Sequence, residues 1–147
     1  MATRAGTKTP TAAARKRAVA ARAASAAPVV LDSSCWLEYF ADSDRAPLFA
    51  EVIDAAETLV VPVITLSEVV KKLAREAGDE VAAMALTLMQ QGRVIDVDAH
   101  LALAASRNGL PLADSLIYAT ARAHGAELWT QDSHFDGLPG VRYFAKA

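Results

Sequence analysis

Residues 111–135, "PLADSLIYATARAHGAELWTQDSHF", decide the fold. Apolar residues recur at helical spacing after Pro111, which suits a first helical position, and the pattern stops at Gly125, where a C-terminal glycine is expected. "AELWT" (126–130) then reads as a short buried strand, and "QDSHFDGLPG" as a turn-rich loop leading to a last strand, "VRYF". An acid opens this unit, Asp114 in the first helical turn, and another closes it, Asp132, two residues beyond the strand.

Working toward the N-terminus, the same grammar repeats. "VVL" (29–31) is a strand followed by a helix beginning around "CWLEYFA", and "PLFAEVIDAAE" (47–57) is a further amphipathic helix. "TLVVPVI" (58–64) reads as the second strand, "LSEVVKKLAREAG" as a helix ending at Gly78, and "DEVAAMALTLMQQG" as another ending at Gly92. "RVIDV" (93–97) is a strand and "DAHLALAASRNG" a helix. Strands alternating with helices imply an α/β fold built from right-handed βαβ crossovers. The expectation is a mostly parallel central sheet of four to five strands, flanked by helices on both faces.

Composition agrees. A chain of 147 residues, 53% hydrophobic and only 6% aromatic, is rich in the small aliphatics that pack helices on a sheet. A domain of this size buries roughly 68–70% of its unfolded surface. No apolar run approaches the roughly 20 residues needed to span a bilayer, so no membrane association is expected. Cys35 is the single cysteine, which excludes an internal disulfide and permits a reducing, cytoplasmic location. The net charge of −2 conceals an asymmetry: residues 1–27 carry Arg4, Lys8, Arg15, Lys16, Arg17 and Arg22 with no acid. The remaining nine of the 15 bases face all 17 acids, a net −8. Residues 1–27 are therefore expected to be a separate basic, flexible extension, with a nucleic-acid or partner arm and a targeting segment as alternatives, and residues 28–147 the folded domain.

In open parallel sheets, ligands bind beyond the carboxyl ends of the strands. Asp32 ends the first strand, Glu68 is expected in the first turn of the helix after the second, Asp114 leads its helix, and Asp132 and Asp136 follow "AELWT". Each has a bland explanation. "TLSE" (65–68) fits a capping box with Thr65 as N-cap. Asp114 opposes a helix dipole, and Asp132 suits an Asx turn. Asp32 resists dismissal, because an acid at the end of an apolar strand is partly desolvated and needs donors or a cation. Carboxylates gathered at one edge repel, and a divalent ion removes the conflict. Oxygen donors without a His or Cys cluster select Mg²⁺ or Mn²⁺ over zinc. Such an ion lowers the pKa of a bound water and screens charge at phosphorus, which points to phosphodiester hydrolysis.

"VVLDSSCWLEYF", "ITLSEVVKKL" and "LPLADSLIYATARAHGAELWTQDSHF" resemble the successive motifs of PIN-domain proteins, specifically the VapC-type toxins of toxin–antitoxin pairs. The resemblance runs from residue 29 to about 145. It implies a PIN-like fold and a Mg²⁺- or Mn²⁺-dependent endoribonuclease whose acidic quartet is Asp32, Glu68, Asp114 and Asp132. Asp32, Asp114 and Asp132 would hold the metal, with Glu68 helping to ligate it or to orient water. Asp136 matches a fifth acid of some members, and Ser34 and Thr130 match hydroxyl positions beside the ligands. An RNA substrate, a homodimer and a small antitoxin that inserts near the acidic groove are implied with it. The basic extension departs from that pattern.

Other residues carry weaker signals. His134 is placed to touch a phosphate but reads more simply as a polar loop residue, and His100 and His124 lack partner spacing. Cys35 reads as a buried small residue. Trp36 and Trp129 read as core residues, Trp36 alternatively as a dimer contact. Lys71, Lys72 and Arg75 share a helix and could steer RNA toward an acidic site, although they read more simply as a solvated helix face. Two rival functions stand beside the nuclease. One is a catalytically silent PIN module that binds RNA or protein, whose mark would be a missing acid. The other is a phosphatase or receiver domain, which needs a late lysine where this chain offers only Lys146.

Overall fold

A computed structural model of the chain describes residues 11–15, 17 and 27–146. The expectation for residues 1–27 falls mostly outside these; among those described, residues 12–15 and 17 are helical. The elements run β1 (Val29–Leu31), α1 (Ser33–Phe40), α2 (Ala46–Asp54), β2 (Val60–Pro62), α3 (Val63–Ala77) and α4 (Asp79–Met89). They continue with β3 (Arg93–Ile95), α5 (Ala99–Ala105), α6 (Leu112–Ala123), β4 (Glu127–Thr130) and β5 (Val141–Tyr143).

Strands of three or four residues are too short to persist alone, and each gains its stability from parallel neighbours covered on both sides. β1 pairs with β4, β4 with β5, and β2 with β3, all in parallel. The three-stranded and two-stranded portions meet at a single parallel bridge between Val29 and Leu59, so the strands lie in the order β3-β2-β1-β4-β5. Successive side chains on a strand point to opposite faces, and the core divides accordingly. Leu31 and Val61 pack with Trp36, Phe49, Val69 and Met89 of α1 to α4. Val30, Val60 and Leu128 pack on the other side with Ile117 and Ala121 of α6. Below them, Leu101 and Ala105 of α5 meet Leu116 and Ala119 of α6. Trp36, considered as a dimer contact, is instead 1% exposed within this core.

Three details of the sequence reading are corrected. The second strand ends at Pro62 and the helix begins at Val63, so Ile64 is helical and Thr65 is not an N-cap. Pro62 takes the cap position, where a fixed φ near −60° suits helix entry, and Thr65 Oγ1 donates to the Pro62 carbonyl at 2.7 Å. There is consequently no capping box, and Glu68 lies in the second helical turn rather than the first. The helix expected over 47–57 stops at Asp54, and Ala56–Thr58 form a 3₁₀ turn into β2.

Candidate metal centre

In the order β3-β2-β1-β4-β5, the connection after β1 leaves toward β2 while β4 arrives on the opposite side. The gap between the carboxyl ends of β1 and β4 is therefore the switch point of the sheet, where such folds open a crevice. Asp32 and Asp132 flank it.

Asp32 follows β1 directly and caps α1. It is 4% exposed, and donors surround it. Oδ1 accepts from the Ser33 backbone N–H at 2.9 Å. Oδ2 accepts from the Ser34 hydroxyl at 3.3 Å and from Thr130 Oγ1 at 2.9 Å. Burial nonetheless raises its pKa and the charge of Asp114 raises it further, while Thr130, Ser33 and Ser34 pull the other way. Thr130, fully buried at the end of β4, does two things with one hydroxyl: it donates to Asp32 and accepts from the Asp132 backbone N–H at 2.9 Å. It thereby couples the two strand ends in register.

Asp132 closes an Asx turn, its Oδ1 accepting from the His134 N–H at 2.9 Å, and so starts the 3₁₀ turn Ser133–Phe135. Phe135, fully buried, pins that turn to the core. The turn returns the His134 ring to the acids: Nδ1 lies 3.1 Å from Asp132 Oδ1 and 3.4 Å from Asp114 Oδ2. Donor atoms of Asp114, Asp132 and His134 all fall within 4.8 Å of one another. Burial raises Asp114, Asp132 raises it further, and His134 opposes both. Glu68 enters from α3. Its Oε1 is closed to solvent and has no hydrogen-bond partner among the described residues. Burial again raises the pKa, with the charges of Asp32 and Asp114 adding to it and the Ser33 hydroxyl working against them.

Asp114 thus links the group by charge: it acts on Asp32 and on Glu68, and Asp132 acts on it, across four separate elements. Asp136 stands apart, exposed at the end of the 3₁₀ turn, its backbone N–H bonded to the Ser133 carbonyl at 3.1 Å. Ser34 and Thr130 both donate to Asp32. His134 is the residue that a reading by spacing underrates: its approach to both aspartates depends on the Asx turn, of which the sequence shows only an acid two residues upstream. Cys35 is fully buried, donates to the Trp129 carbonyl at 3.4 Å, and has its thiol pKa pushed up by burial, so it remains a packing residue. Beside Ser34, a recess of about 240 Å³ is lined by Lys72, Lys146, Glu38 and Glu76.

A cluster of carboxylates with raised pKa values, one carrying an orphaned buried oxygen, fits a divalent cation, which would satisfy that oxygen and remove the repulsion. The same architecture occurs in solved structures. A toxin–antitoxin complex from Klebsiella pneumoniae is 22% identical with a TM-score of 0.68, over 80% of this chain and 99% of that one. Mycobacterium tuberculosis VapC20, described as a sarcin-ricin loop cleaving toxin, is 23% identical with a TM-score of 0.63, over 78% of this chain and 98% of that one. DNA-bound VapBC from Salmonella typhimurium is 17% identical with a TM-score of 0.62, over 82% and 98%. No curated protein matches by sequence. A family model of the PIN domain matches residues 29–141, and on that match, spanning both strands of the switch point and every acid around it, the chain belongs to the PIN domain family.

Proposed function

We propose that this chain is a divalent-cation-dependent endoribonuclease, the toxin of a toxin–antitoxin pair, with Asp32, Glu68, Asp114 and Asp132 as its working acids. The observation that carries the reading is the gathering of these carboxylates at the switch point, Asp114 acting by charge on Asp32 and Glu68 and being acted on by Asp132, with a buried Glu68 oxygen unpartnered among the described residues. At Asp32 the described hydrogen bonds come from hydroxyls and backbone rather than from a basic side chain.

Asp32, Asp114 and Asp132 would hold Mg²⁺ or Mn²⁺. When bound, the cation offsets the carboxylate charge, acidifies water and stabilises negative charge developing at phosphorus. The protein's own part is positioning. Thr130 and Ser34 fix the Asp32 carboxylate, so this ligand is set before substrate arrives. Glu68, with free lone pairs, is placed to accept a hydrogen bond from the attacking water and aim it at the phosphodiester. Hydrolysis then joins the water oxygen to phosphorus, breaks one P–O ester bond and delivers a proton to the departing ribose oxygen. Lys71, Lys72 and Arg75 are exposed on α3, the helix that carries Glu68, and would draw the RNA backbone toward an otherwise repulsive site.

The similar folds of toxin–antitoxin complexes support an antitoxin partner, and a homodimer is part of the same reading. Among the described residues no helix is long and apolar enough to cross a membrane, in keeping with the proposed cytoplasmic site of action. The test is direct. Purified protein is incubated with total RNA in Mn²⁺, in Mg²⁺ and in EDTA, alongside Asp114→Asn. Metal-dependent cleavage lost in the variant is expected; cleavage that persists in EDTA, or none in either metal, would sink the proposal.

A further inference from the structure

The loop after β4 brings a nitrogen to a site that otherwise offers only oxygen. We infer that His134 is a direct ligand of the cation through Nδ1, completing a mixed nitrogen–oxygen site with Asp114 and Asp132; this rests on the reading above that the acids hold a divalent ion.

Three observations support it. The first is spacing. An octahedral ion with ligands at about 2.0–2.1 Å sets adjacent donor atoms about 3 Å apart. Nδ1 stands 3.1 Å from Asp132 Oδ1 and 3.4 Å from Asp114 Oδ2, so these atoms already have nearly the separation of neighbouring ligands. The second is fixation. The His134 N–H is bonded to the same Asp132 oxygen that its ring approaches, and the next residue, Phe135, is fully buried, so the backbone that carries the imidazole is held beside the acids. The third is a shortage of donors elsewhere. A carboxylate has about four acceptor sites, and Asp32 already commits three to Ser33, Ser34 and Thr130. Asp32 can therefore give the ion little more than one lone pair, and on the opposite side His134 stands 59% exposed and in reach of an entering ion.

The consequence is selectivity. Imidazole suits the later first-row metals, whereas carboxylate and water suit Mg²⁺. A His134 ligand raises the affinity for Mn²⁺ relative to Mg²⁺ above that of an all-oxygen site.

The test uses the full chain with Mn²⁺ as the probe. Loss of the free-ion EPR signal reports binding, and pulsed EPR reports ¹⁴N coupling to bound Mn²⁺, for wild type, His134→Gln and Asp114→Asn. Nitrogen coupling is expected in wild type and absent in His134→Gln, whose Mn²⁺ affinity falls about tenfold or more with a smaller loss for Mg²⁺. Bound Mn²⁺ without nitrogen coupling in wild type, or coupling that survives His134→Gln, overturns the His134 assignment alone. No Mn²⁺ binding by wild type, or binding undiminished in Asp114→Asn, overturns the metal reading and the ligand with it. His134 is exposed, and circular dichroism verifies that the variant is folded.

Discussion

Asp114→Asn replaces an ionised carboxylate by a neutral amide of the same shape in the first turn of α6, and the sign of its effect on stability depends on whether metal is present. Without metal it removes a charge that repels Asp132. Their oxygens lie within 4.8 Å. At that separation two unit charges interact by about 0.9 kcal/mol in water and about 3.5 kcal/mol at an effective dielectric near 20. Asp114 and Asp132 are 17% and 34% exposed, so the lower end applies. The metal-free variant is therefore expected to be about 1 kcal/mol more stable, a gain of about 2–4 °C in Tm for a domain of this size. Metal reverses the order. At 100 times Kd a ligand specific for the folded state contributes about 2.7 kcal/mol, or about 5–11 °C for the wild type, and the variant should forgo most of it. RNA cleavage should fall by about a hundredfold or more, the equivalent of about 2.7 kcal/mol of transition-state stabilisation. Thermal melts in EDTA and in Mn²⁺, paired with an RNA cleavage assay, measure all three effects. A variant that melts below wild type in EDTA and gains the full Mn²⁺ shift would refute the reasoning.

The same groups set a pH dependence. Asp32, Glu68 and Asp114 have folded pKa values raised above the unfolded ones, chiefly by burial, so the native state holds their protons more tightly. Their contribution is fully present below a pH of about 4 and is lost as pH rises through the folded values. The Tm advantage of Asp114→Asn in EDTA should accordingly grow between pH 4 and 7, and a constant offset across that range would contradict it. Thr130→Val keeps the shape of a fully buried side chain but strips a donor from Asp32 and an acceptor from the Asp132 N–H. Chemical denaturation should show a loss of about 1–3 kcal/mol, and calorimetry a weaker Mn²⁺ affinity; a loss confined to a few tenths would mean the link between the strands is dispensable. Gly92→Ala tests packing away from the acids. The added Cβ would lie 2.7 Å from Val61 Cγ2 and 3.1 Å from the carbonyl oxygens of Ala56 and Leu59, and a cost of about 1–3 kcal/mol with unchanged Mn²⁺ affinity is expected.

What the sequence disclosed follows from how local its causes are. The order of strands and helices was legible because glycines punctuate the helices and the strands are apolar runs between them. Gly78 caps α3, whereas α4 ends at Met89, three residues short of the Gly92 expected to stop it, and Leu31, Val61 and Leu128 sit in strands as read. The start of α3 was misread because "TLSE" satisfies a local capping rule that Pro62 pre-empts: its φ already suits helix entry, and the chain turns as soon as Val60 and Val61 have packed on opposite faces. That displacement moved Glu68 from the first helical turn to the second. The division of the sheet into three and two strands joined at Val29 and Leu59 was not legible either, because a single bridge depends on where β2 begins, and no residue type marks that.

The acids show the same boundary between local and distant causes. That Asp32, Asp114 and Asp132 lie at strand ends and a helix start follows from the alternating pattern alone. How fully each is engaged does not, because hydrogen-bond partners come from other elements: Thr130 reaches Asp32 from 98 residues away, while Glu68 Oε1 in the same crevice receives nothing from the described residues. This difference separates two kinds of work. A carboxylate immobilised by two hydroxyls and a backbone amide is suited to hold an ion in one place, since reorientation would break three bonds. One with an empty, buried lone pair is suited to a transient partner, since a water or an ion arriving there relieves a desolvation cost the fold has already incurred. Only the folded arrangement distinguishes these two environments, although every one of the acids was visible in the chain.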